Sequence, residues 1–234
     1  VSGETLAEDS AKPLIMRLNA GPVSDDEVRR LVHHPEYLIR NMAANHAAGL
    51  TFDYMFPKPG PAVRVDLLTE FRRSADPRVR NAGFRGSLKA FDASAPWAKE
   101  AFDDAIGRLA DPDESWFVKD AALALVALGT ADMIAPHVDL IVPYLSHQEQ
   151  WLQNGALTAL VPVVADERCY AKVLPPVGDL LRTCERWSTT SGPARKIREQ
   201  LADAPPNVRE LAAKTIEGAY SGYAEVKIWA GGQN

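Results

Sequence analysis

A phrase of five residues recurs four times along the chain at nearly constant spacing. Each copy has an aliphatic residue, a polar or basic residue, an asparagine or aspartate, and then small or apolar residues. The copies begin at Ile39, Val79, Val118 and Leu152, so the successive steps are 40, 39 and 34 residues. Repeats of this length are typical of proteins built from stacked helix pairs, in which each repeat buries its apolar face only against its neighbours.

Each phrase opens a pattern that predicts an amphipathic helix. In the third copy, apolar residues recur at positions i, i+3, i+4, i+7 and i+8 from Val118, which is one face of an α-helix. A small residue occupies the i+4 position in every copy: Ala43, Gly83, Ala122 and Ala156. A small residue there predicts close approach of a neighbouring helix in the stack. A second apolar segment precedes each phrase and ends at Leu31, Phe71, Leu109 or Leu145.

These features resemble the HEAT-repeat family. The resemblance is carried by Asp76-Pro77-Arg78-Val79-Arg80, by Asp111-Pro112 with Val118-Lys119, and by an outer-helix segment from Ala135 to Leu145. It implies an all-α, right-handed superhelical solenoid of four to five helix pairs. It also implies a structural ladder of aspartates and basic residues. In this comparison His34 replaces the aspartate of the first copy and Gln153 replaces the basic residue of the fourth.

The ends of the chain are less regular than its middle. Residues 1–22 are interpreted as a lead-in with a short helix around residues 14–18, followed by a capping box from Ser24 to Glu27. Residues 23–222 are expected to form one solenoid. Its fifth pair is predicted at residues 177–184 and 193–201, with a further helix at 208–220. Residues 223–234 form a tail whose alternating pattern predicts a short strand without an evident partner, and strand is expected mainly there.

One local charge feature stands out against the formal net charge of −5, which disfavours general affinity for nucleic acid. On the helix predicted at the second copy of the phrase, Arg78, Arg85 and Lys89 fall on one side. We call these three residues the basic stripe. It is either a solvated face or an anion-binding surface. In both cases reversing all three charges is expected to leave the stability nearly unchanged.

Several aromatic residues and one histidine are further binding candidates. Phe52, Tyr54 and Phe56 lie in a segment, residues 49–61, that is predicted to be a long loop. They either plug the solenoid or contact a ligand. Trp116 and Trp151 precede their phrases by two residues and one residue, and they either seal adjacent repeats or form a binding row. His46 occupies a core position, as a satisfied core residue or as part of a pocket.

The sequence contains none of several common catalytic and metal-binding motifs. The chain has no HExxH, CxxC, Walker loop or GxSxG, and its five histidines form no His-Glu dipeptide. No metal or other cofactor is therefore expected, and His33, His34 and Glu36 would be the first residues to inspect if one were found. The acidic run from Asp111 to Glu114 is interpreted as a solvated helix start.

The pattern favours a non-catalytic interaction or scaffold module. The expected partner is a protein or peptide, a neighbouring domain of the same parent chain being one candidate. Nucleic acid is not favoured, and no apolar run is long enough to span a membrane. The alternatives are enzymes of the HEAT-like DNA glycosylase type or the chromophore-lyase type. The sequence assigns no compartment, and it leaves open whether Cys169 and Cys184 form a disulfide.

Overall fold

The computed structural model describes residues 11–53, 56–59, 62–183, 191–216, 220–221 and 224–225. These residues are mostly helical, which confirms the predicted all-α class. The chain divides into two compact units. The first comprises Val1–Arg108 with Asp113–Leu125, and the second comprises Leu109–Pro112 with Val126–Asn234.

The first unit contains a short N-terminal helix and three successive helix–turn–helix segments. Helix α1 spans Ala11–Asn19, where a short helix was expected. The three segments are α2 (Asp25–Leu31) with α3 (Tyr37–Ala47), α4 (Val65–Arg72) with α5 (Pro77–Ala90), and α6 (Ala98–Ala110) with α7 (Trp116–Val126). Residues 109–112 and 126 of the last segment belong to the second unit. Each phrase of the repeat therefore opens the second helix of a segment. The apolar residues Leu31, Phe71 and Leu109 lie at the ends of the first helices and are buried.

Local sequence signals determine where these helices begin. Ser24 is the N-cap of α2, and its Oγ accepts a hydrogen bond from the backbone N–H of Glu27 at 3.3 Å. This is one half of the predicted capping box. Asp76 is the N-cap of α5 and accepts from the backbone N–H of Arg78 at 2.8 Å, with Pro77 at the first helical position. Proline suits that position because no intrahelical partner is available for an N–H there.

Two glycines of α5 bring three helices into contact. A Cβ atom added to Gly83 would lie 2.5 Å from the backbone nitrogen of Arg72, in the partner helix α4. A Cβ on Gly86 would lie 2.8 Å from the carbonyl oxygen of Ala44, in α3 of the preceding repeat. The small i+4 residue at Gly83 therefore allows approach within its own pair, and the approach between repeats occurs one turn later.

A buried arginine ties the second repeat to its neighbours. Arg72 is fully buried, and its Nε donates to Asp104 Oδ2 of α6 at 3.0 Å. Its Nη1 donates to Ser87 Oγ of α5 at 2.8 Å, and its Nη2 donates to Thr69 Oγ1 at 3.0 Å. A buried charge is tolerated only when it is paired and hydrogen-bonded, so these contacts fix α4 against α5 and α6.

The segment expected to be a long loop contains a hairpin, so the expectation that strand lies mainly in the C-terminal tail was wrong. Strand β1 (Leu50–Asp53) pairs antiparallel with β2 (Phe56–Pro59). The prolines of this segment argued against strand because proline cannot donate to a ladder. In a two-stranded ribbon, Pro57 and Pro59 are tolerated because they alternate and fall at positions whose missing N–H would point away from β1.

The second unit consists of shorter helices interrupted by 3₁₀ turns. The helices are α8 (Ala131–Ile134), α9 (Val138–Ile141), α10 (Gln150–Leu160), α11 (Tyr170–Thr183), α12 (Ser191–Ala202) and α13 (Pro206–Ile216). The 3₁₀ turns are Ala135–His137, Val142–Ser146 and Val161–Val163, and each contains a proline. Because proline removes a backbone donor, it breaks the predicted outer helix of residues 135–145 into short pieces.

The two helices predicted to form the fifth pair do not pack mainly against each other, so that prediction was wrong. Helix α11 packs mainly against α13, whereas α12 contacts α10 and α13. Gly178 of α11 faces the carbonyl oxygen of Thr215 in α13, and the Arg182 side chain donates to the same oxygen. The absence of a side chain at Gly178 permits this close approach, and nothing in the periodicity of α12 distinguished it from α13 as the partner.

The tail contains a strand with a partner that was not predicted. Strand β3 (Tyr220–Ser221) pairs antiparallel with β4 (Ala224–Glu225), with Tyr220 opposite Glu225. The strand predicted in the tail therefore pairs with the segment just before it. Residues 226–234, which carry the rest of that pattern, lie outside the described residues.

The glycines of α5 and α6 provide a matched test of this packing. Gly83→Ala is expected to lower the free energy of unfolding by about 1–3 kcal/mol, because the new methyl group overlaps the α4 backbone. Gly107→Ala in α6 is expected to raise it by about 0.4–1 kcal/mol, because nothing lies within 4 Å of the added Cβ and alanine favours the helix. Urea denaturation measures both. Equal effects of the two changes would contradict the close approach at Gly83.

Candidate functional site

The turns inside three of the four repeats are held by one recurring side-chain hydrogen bond. Arg40 Nη1 donates to the carbonyl oxygen of His34, Arg80 Nη1 to that of Ser74, and Gln153 Nε2 to that of His147. All three distances are 2.7 Å, and each acceptor lies six residues before its donor. Glutamine thus supplies the same bond as arginine, so the apparent departure at Gln153 preserves the turn. We call this contact the turn bond.

A second recurring bond corrects the sequence alignment of the turns. The side chains of His34, Ser74 and His147 each accept from the backbone N–H two residues later, at 3.0, 3.2 and 3.0 Å. His34 therefore corresponds to Ser74 and does not replace the aspartate. The residue equivalent to Asp76 is Glu36, and both are helix N-caps. An alignment shifted by two residues had concealed this equivalence.

The arginine that makes the turn bond of the second repeat, Arg80, also forms a buried ion pair. Arg80 Nε and Nη2 each donate to the Glu114 carboxylate at 2.8 Å, and the Glu114 side chain is 0% exposed. Burial alone would raise the pKa of Glu114, but hydrogen bonds from Arg80 and Ser115 outweigh it and lower that pKa. The prediction of a solvated helix start was wrong at Glu114, because the carboxylate bridges two repeats.

The basic stripe is not a uniformly free surface. Arg78 is exposed and pairs with Asp76 at 3.2 Å, and Lys89 is exposed. Arg85 instead forms an ion pair with Asp120 of α7. Between them, Asn81 Nδ2 donates to the carbonyl oxygen of Phe117 at 2.6 Å. The side of α5 that carries the stripe therefore faces α7.

Burial of Asp120 makes the Arg85 contact structural. Burial raises the pKa of Asp120, and the charge and hydrogen bond of Arg85 act in the opposite direction. Removing Arg85 would leave a partly buried carboxylate without its counter-ion. The expectation that all three stripe charges can be reversed without loss of stability is therefore corrected for Arg85.

Exposed apolar residues mark one edge of the first unit. Tyr37 and Leu38, in the first turn of α3, are 56% and 48% exposed, and Trp116, the first residue of α7, is 46% exposed. Helix α5 lies beside α3, where Arg40 interacts with Asp76 and Arg78 near the two starts and Gly86 approaches Ala44 further along. It lies beside α7 through Asn81 and Phe117, so the three helices start at the same edge. We call Tyr37, Leu38 and Trp116 the aromatic edge. Large apolar side chains with this exposure are candidates for a partner contact.

Trp151 belongs to the second unit and is considered separately. It lies in the first turn of α10 and is 54% exposed. Exposure of this size means that Trp151 does not seal a packed interface within its unit. In the preceding turn, the Tyr144 ring lies 6.1 Å from the His147 ring, and the Tyr144 hydroxyl donates to the Leu109 carbonyl oxygen at 2.7 Å.

His46 lies in the core of the first unit. It is 0% exposed, and its Nε2 donates to the carbonyl oxygen of Leu18 at 2.8 Å, which joins α3 to α1. Burial lowers the pKa of His46, and the nearby charges of Arg64 and Arg17 lower it further. This geometry is that of a core histidine whose Nε2 donates to the backbone and which favours the neutral form.

The remaining candidates are either outside the described structure or not arranged for chemistry. Tyr54 and the side chains of Phe52 and Phe56 lie outside the described residues, as does Cys184. Cys169 is a buried free thiol that lies 3.6 Å from the Val163 carbonyl oxygen, and burial raises its pKa. Among the described residues, no group of three or more histidine, cysteine and acidic side chains could hold a metal ion.

No described helix is both long enough and apolar enough to cross a membrane.

Two residues of the candidate site were not found from the sequence. Leu38 follows Tyr37 at the start of α3, where Ile39 and Met42 already supply the buried face. That surplus of apolar residues in one turn was the available signal. Glu114 gave no signal, because its pairing with Arg80 across 34 residues depends on how two repeats are placed together.

Comparison with known proteins supports the fold and assigns no family. No protein-family model and no curated protein matches the sequence. Two crystal structures of engineered proteins align over 82% of this chain and over 85% and 87% of theirs, with TM-scores of 0.54 and 0.56 and identities of 18% and 17%. A third engineered protein aligns over 91% of this chain and 60% of its own, with a TM-score of 0.53 and 17% identity. At these identities the likeness concerns the fold alone.

The basic stripe can be divided by charge reversal. Arg85→Glu is expected to lower the free energy of unfolding by about 2–4 kcal/mol, because it places a second carboxylate against Asp120. Arg78→Glu with Lys89→Glu is expected to change it by less than about 0.5 kcal/mol, because both side chains are exposed. Thermal and urea melts of the two variants measure the difference. A stable Arg85→Glu protein would show that the pair with Asp120 contributes little.

Proposed function

We propose that this chain is a non-catalytic helical-repeat module that binds a protein or peptide partner along the aromatic edge. The observation that carries the proposal is the exposure of Tyr37, Leu38 and Trp116 at one edge of the first unit. Aromatic side chains are favoured at binding surfaces because they bury a large area with few rotatable bonds. A repeated scaffold presents such residues from equivalent positions of successive turns.

We further propose that the repeats are of the HEAT type. The support is the 40- and 39-residue spacing of the first three phrases, the pairing of α4 with α5, and the turn bond at Arg40 and Arg80. The likeness to engineered proteins at TM-scores of 0.53–0.56 is compatible with this proposal and does not name a family. The right-handed superhelix of four to five pairs remains part of the proposal.

The geometry of the edge indicates the form of the partner. Tyr37 and Trp116 begin helices that are two helix spacings apart, with α5 between them. Helix spacings of 8–10 Å place their starts roughly 16–20 Å apart. An extended peptide of about five to six residues spans that length. A short linear segment of a partner protein therefore fits the edge, with one apolar side chain at each end.

The enzymatic alternatives gain no support from the site. A DNA glycosylase would require a broad positive surface for phosphates. In the described part of the chain, Arg85 is neutralised by Asp120 and Arg78 by Asp76. A chromophore lyase remains an alternative without an observation in its favour.

Selection from a displayed peptide library tests the proposal. Peptides that bind the immobilised wild-type protein are expected to lose at least about tenfold in affinity for the Tyr37→Ala/Trp116→Ala variant, which removes both aromatic contacts. Fluorescence polarisation of the labelled peptides measures the change. Met16→Ala is the matched control, because Met16 is 64% exposed but lies on α1.

The control and the variant should both melt like the wild type, since the replaced side chains are largely exposed. Failure to enrich any peptide, or enriched peptides that bind the double variant as tightly as the wild type, would contradict a partner site at the aromatic edge.

A further inference from the structure

The second and third repeats differ at one position that decides what the arginine of the preceding repeat binds. Arg40, Arg80 and Lys119 occupy the same position in the first three copies of the repeated phrase. Glu114 lies five residues before Lys119. The equivalent residue of the second repeat, five residues before Arg80, is Ala75. Arg80 reaches forward to Glu114 of the next repeat. By this equivalence, the position that corresponds to Glu114 for Arg40 is Ala75, whose side chain is only a methyl group.

The guanidinium of Arg40 consequently lacks the carboxylate that Arg80 has. Its Nη1 donates to the carbonyl oxygens of His34 and Pro35, just as Arg80 Nη1 donates to those of Ser74 and Ala75. Arg40 is only 8% exposed, and among the described residues its buried Nε has no hydrogen-bond partner. No ion pair joins it to a described carboxylate. A buried charged donor without a partner is costly, so this site favours an incoming acceptor.

Two further features favour an anion at this place. The same turn contains a second buried donor without a described partner, Nε2 of His34, whose Nδ1 accepts from the backbone of Glu36. Arg78 and Asp76 both act electrostatically on Arg40, but the Asp76 carboxylate is engaged by the side chain and backbone of Arg78. Burial, and next the Arg78 charge, lowers the pKa of Arg40. A negative ligand would relieve both effects.

We propose that Arg40 binds a glutamate or aspartate side chain of the partner, in the place that Glu114 occupies against Arg80 in the next repeat. The chain supplies its own template for the ligand, because the Nε and Nη2 atoms of Arg80 hold a planar carboxylate at 2.8 Å each. A planar carboxylate matches the fork of a guanidinium. Ala75 is exposed, so the space that a glutamate side chain would fill opens to solvent.

The site adjoins the aromatic edge. The Arg40 guanidinium lies 5.9 Å from the centre of the Tyr37 ring. A partner segment seated on Tyr37 can therefore place an acidic side chain against Arg40. The inference rests on the proposed partner-binding function, to which it adds the requirement for an acidic residue in the partner, but its experiment does not depend on finding that partner.

The first arm of the experiment fills the site from within the chain. Ala75→Glu is expected to raise the melting temperature by about 2–4 °C relative to Ala75→Gln, which has nearly the same shape without the charge. The gain is expected to disappear in an Arg40→Gln background. Arg40→Gln is chosen because Gln153 shows that glutamine preserves the turn bond while removing the fork.

The second arm uses a small probe. Blocked glutamate (N-acetyl-glutamate N-methylamide) is titrated into the ¹⁵N-labelled protein at constant ionic strength, with blocked glutamine as the matched control. The backbone signals of His34 and Ala75 are expected to shift and saturate with the glutamate probe alone. The apparent affinity should fall at least about tenfold in Arg40→Gln and in Ala75→Glu.

Equal melting temperatures for Ala75→Glu and Ala75→Gln would overturn the proposal, and so would glutamate shifts that persist in Arg40→Gln. If Arg40→Gln does not fold, the difference in melting temperature between Ala75→Glu and Ala75→Gln still tests the proposal. A positive result here with no peptide selected at the aromatic edge would retain the carboxylate site and reject the wider partner function. Peptides selected at the aromatic edge, together with a negative result here, would retain the partner function and reject the carboxylate site.

Discussion

The hydrogen bond from a long polar side chain back to the carbonyl six residues earlier holds the turn in three of the four repeats. It recurs at Arg40, Arg80 and Gln153 with the same 2.7 Å distance. Carbonyl groups at a helix end lack intrahelical donors, so the turn must supply a donor from elsewhere. One side chain anchored on the second helix meets this need and also fixes the direction in which that helix leaves the turn. The exposed Tyr37 follows a turn held by this bond, and Trp116 follows the turn whose Glu114 receives Arg80.

Once the turn is fixed, the rest of the same side chain becomes available for contacts beyond its own repeat. In Arg80, Nη1 donates to the turn, and Nε and Nη2 donate to the buried Glu114 carboxylate. The neutral Gln153 has no pair of donors that could bind a carboxylate in this way. Arg40 has the fork without an internal acid. The residue at position 75 thus decides whether Arg40 has an internal acid, and the proposed carboxylate site follows from the absence of a carboxylate at Ala75 where the next repeat has Glu114.

The sequence was most informative where one repeat resembles another. It predicted the helical class, the ends of the first helices at Leu31 and Phe71, and the start of α2 at Ser24, because periodicity and capping are local properties. It could not identify the hairpin, in which alternating prolines are tolerated only because the ribbon has two strands. It also could not identify the partners of Arg85 and Glu114, or choose α13 over α12 as the neighbour of α11. Those contacts depend on the relative placement of helices, which no local pattern encodes.

The most direct test of the turn bond removes the complication of the ion pair. In a Glu114→Gln background, the free energy of unfolding is measured in urea for Arg80→Gln and for Arg80→Ala. Glutamine retains a donor for the Ser74 carbonyl, so Arg80→Gln is expected to stay within about 1 kcal/mol of the background. Arg80→Ala is expected to lose about 2–3 kcal/mol, because the carbonyl oxygens of Ser74 and Ala75 lose their donor. Equal losses for glutamine and alanine would contradict the central role of the turn bond.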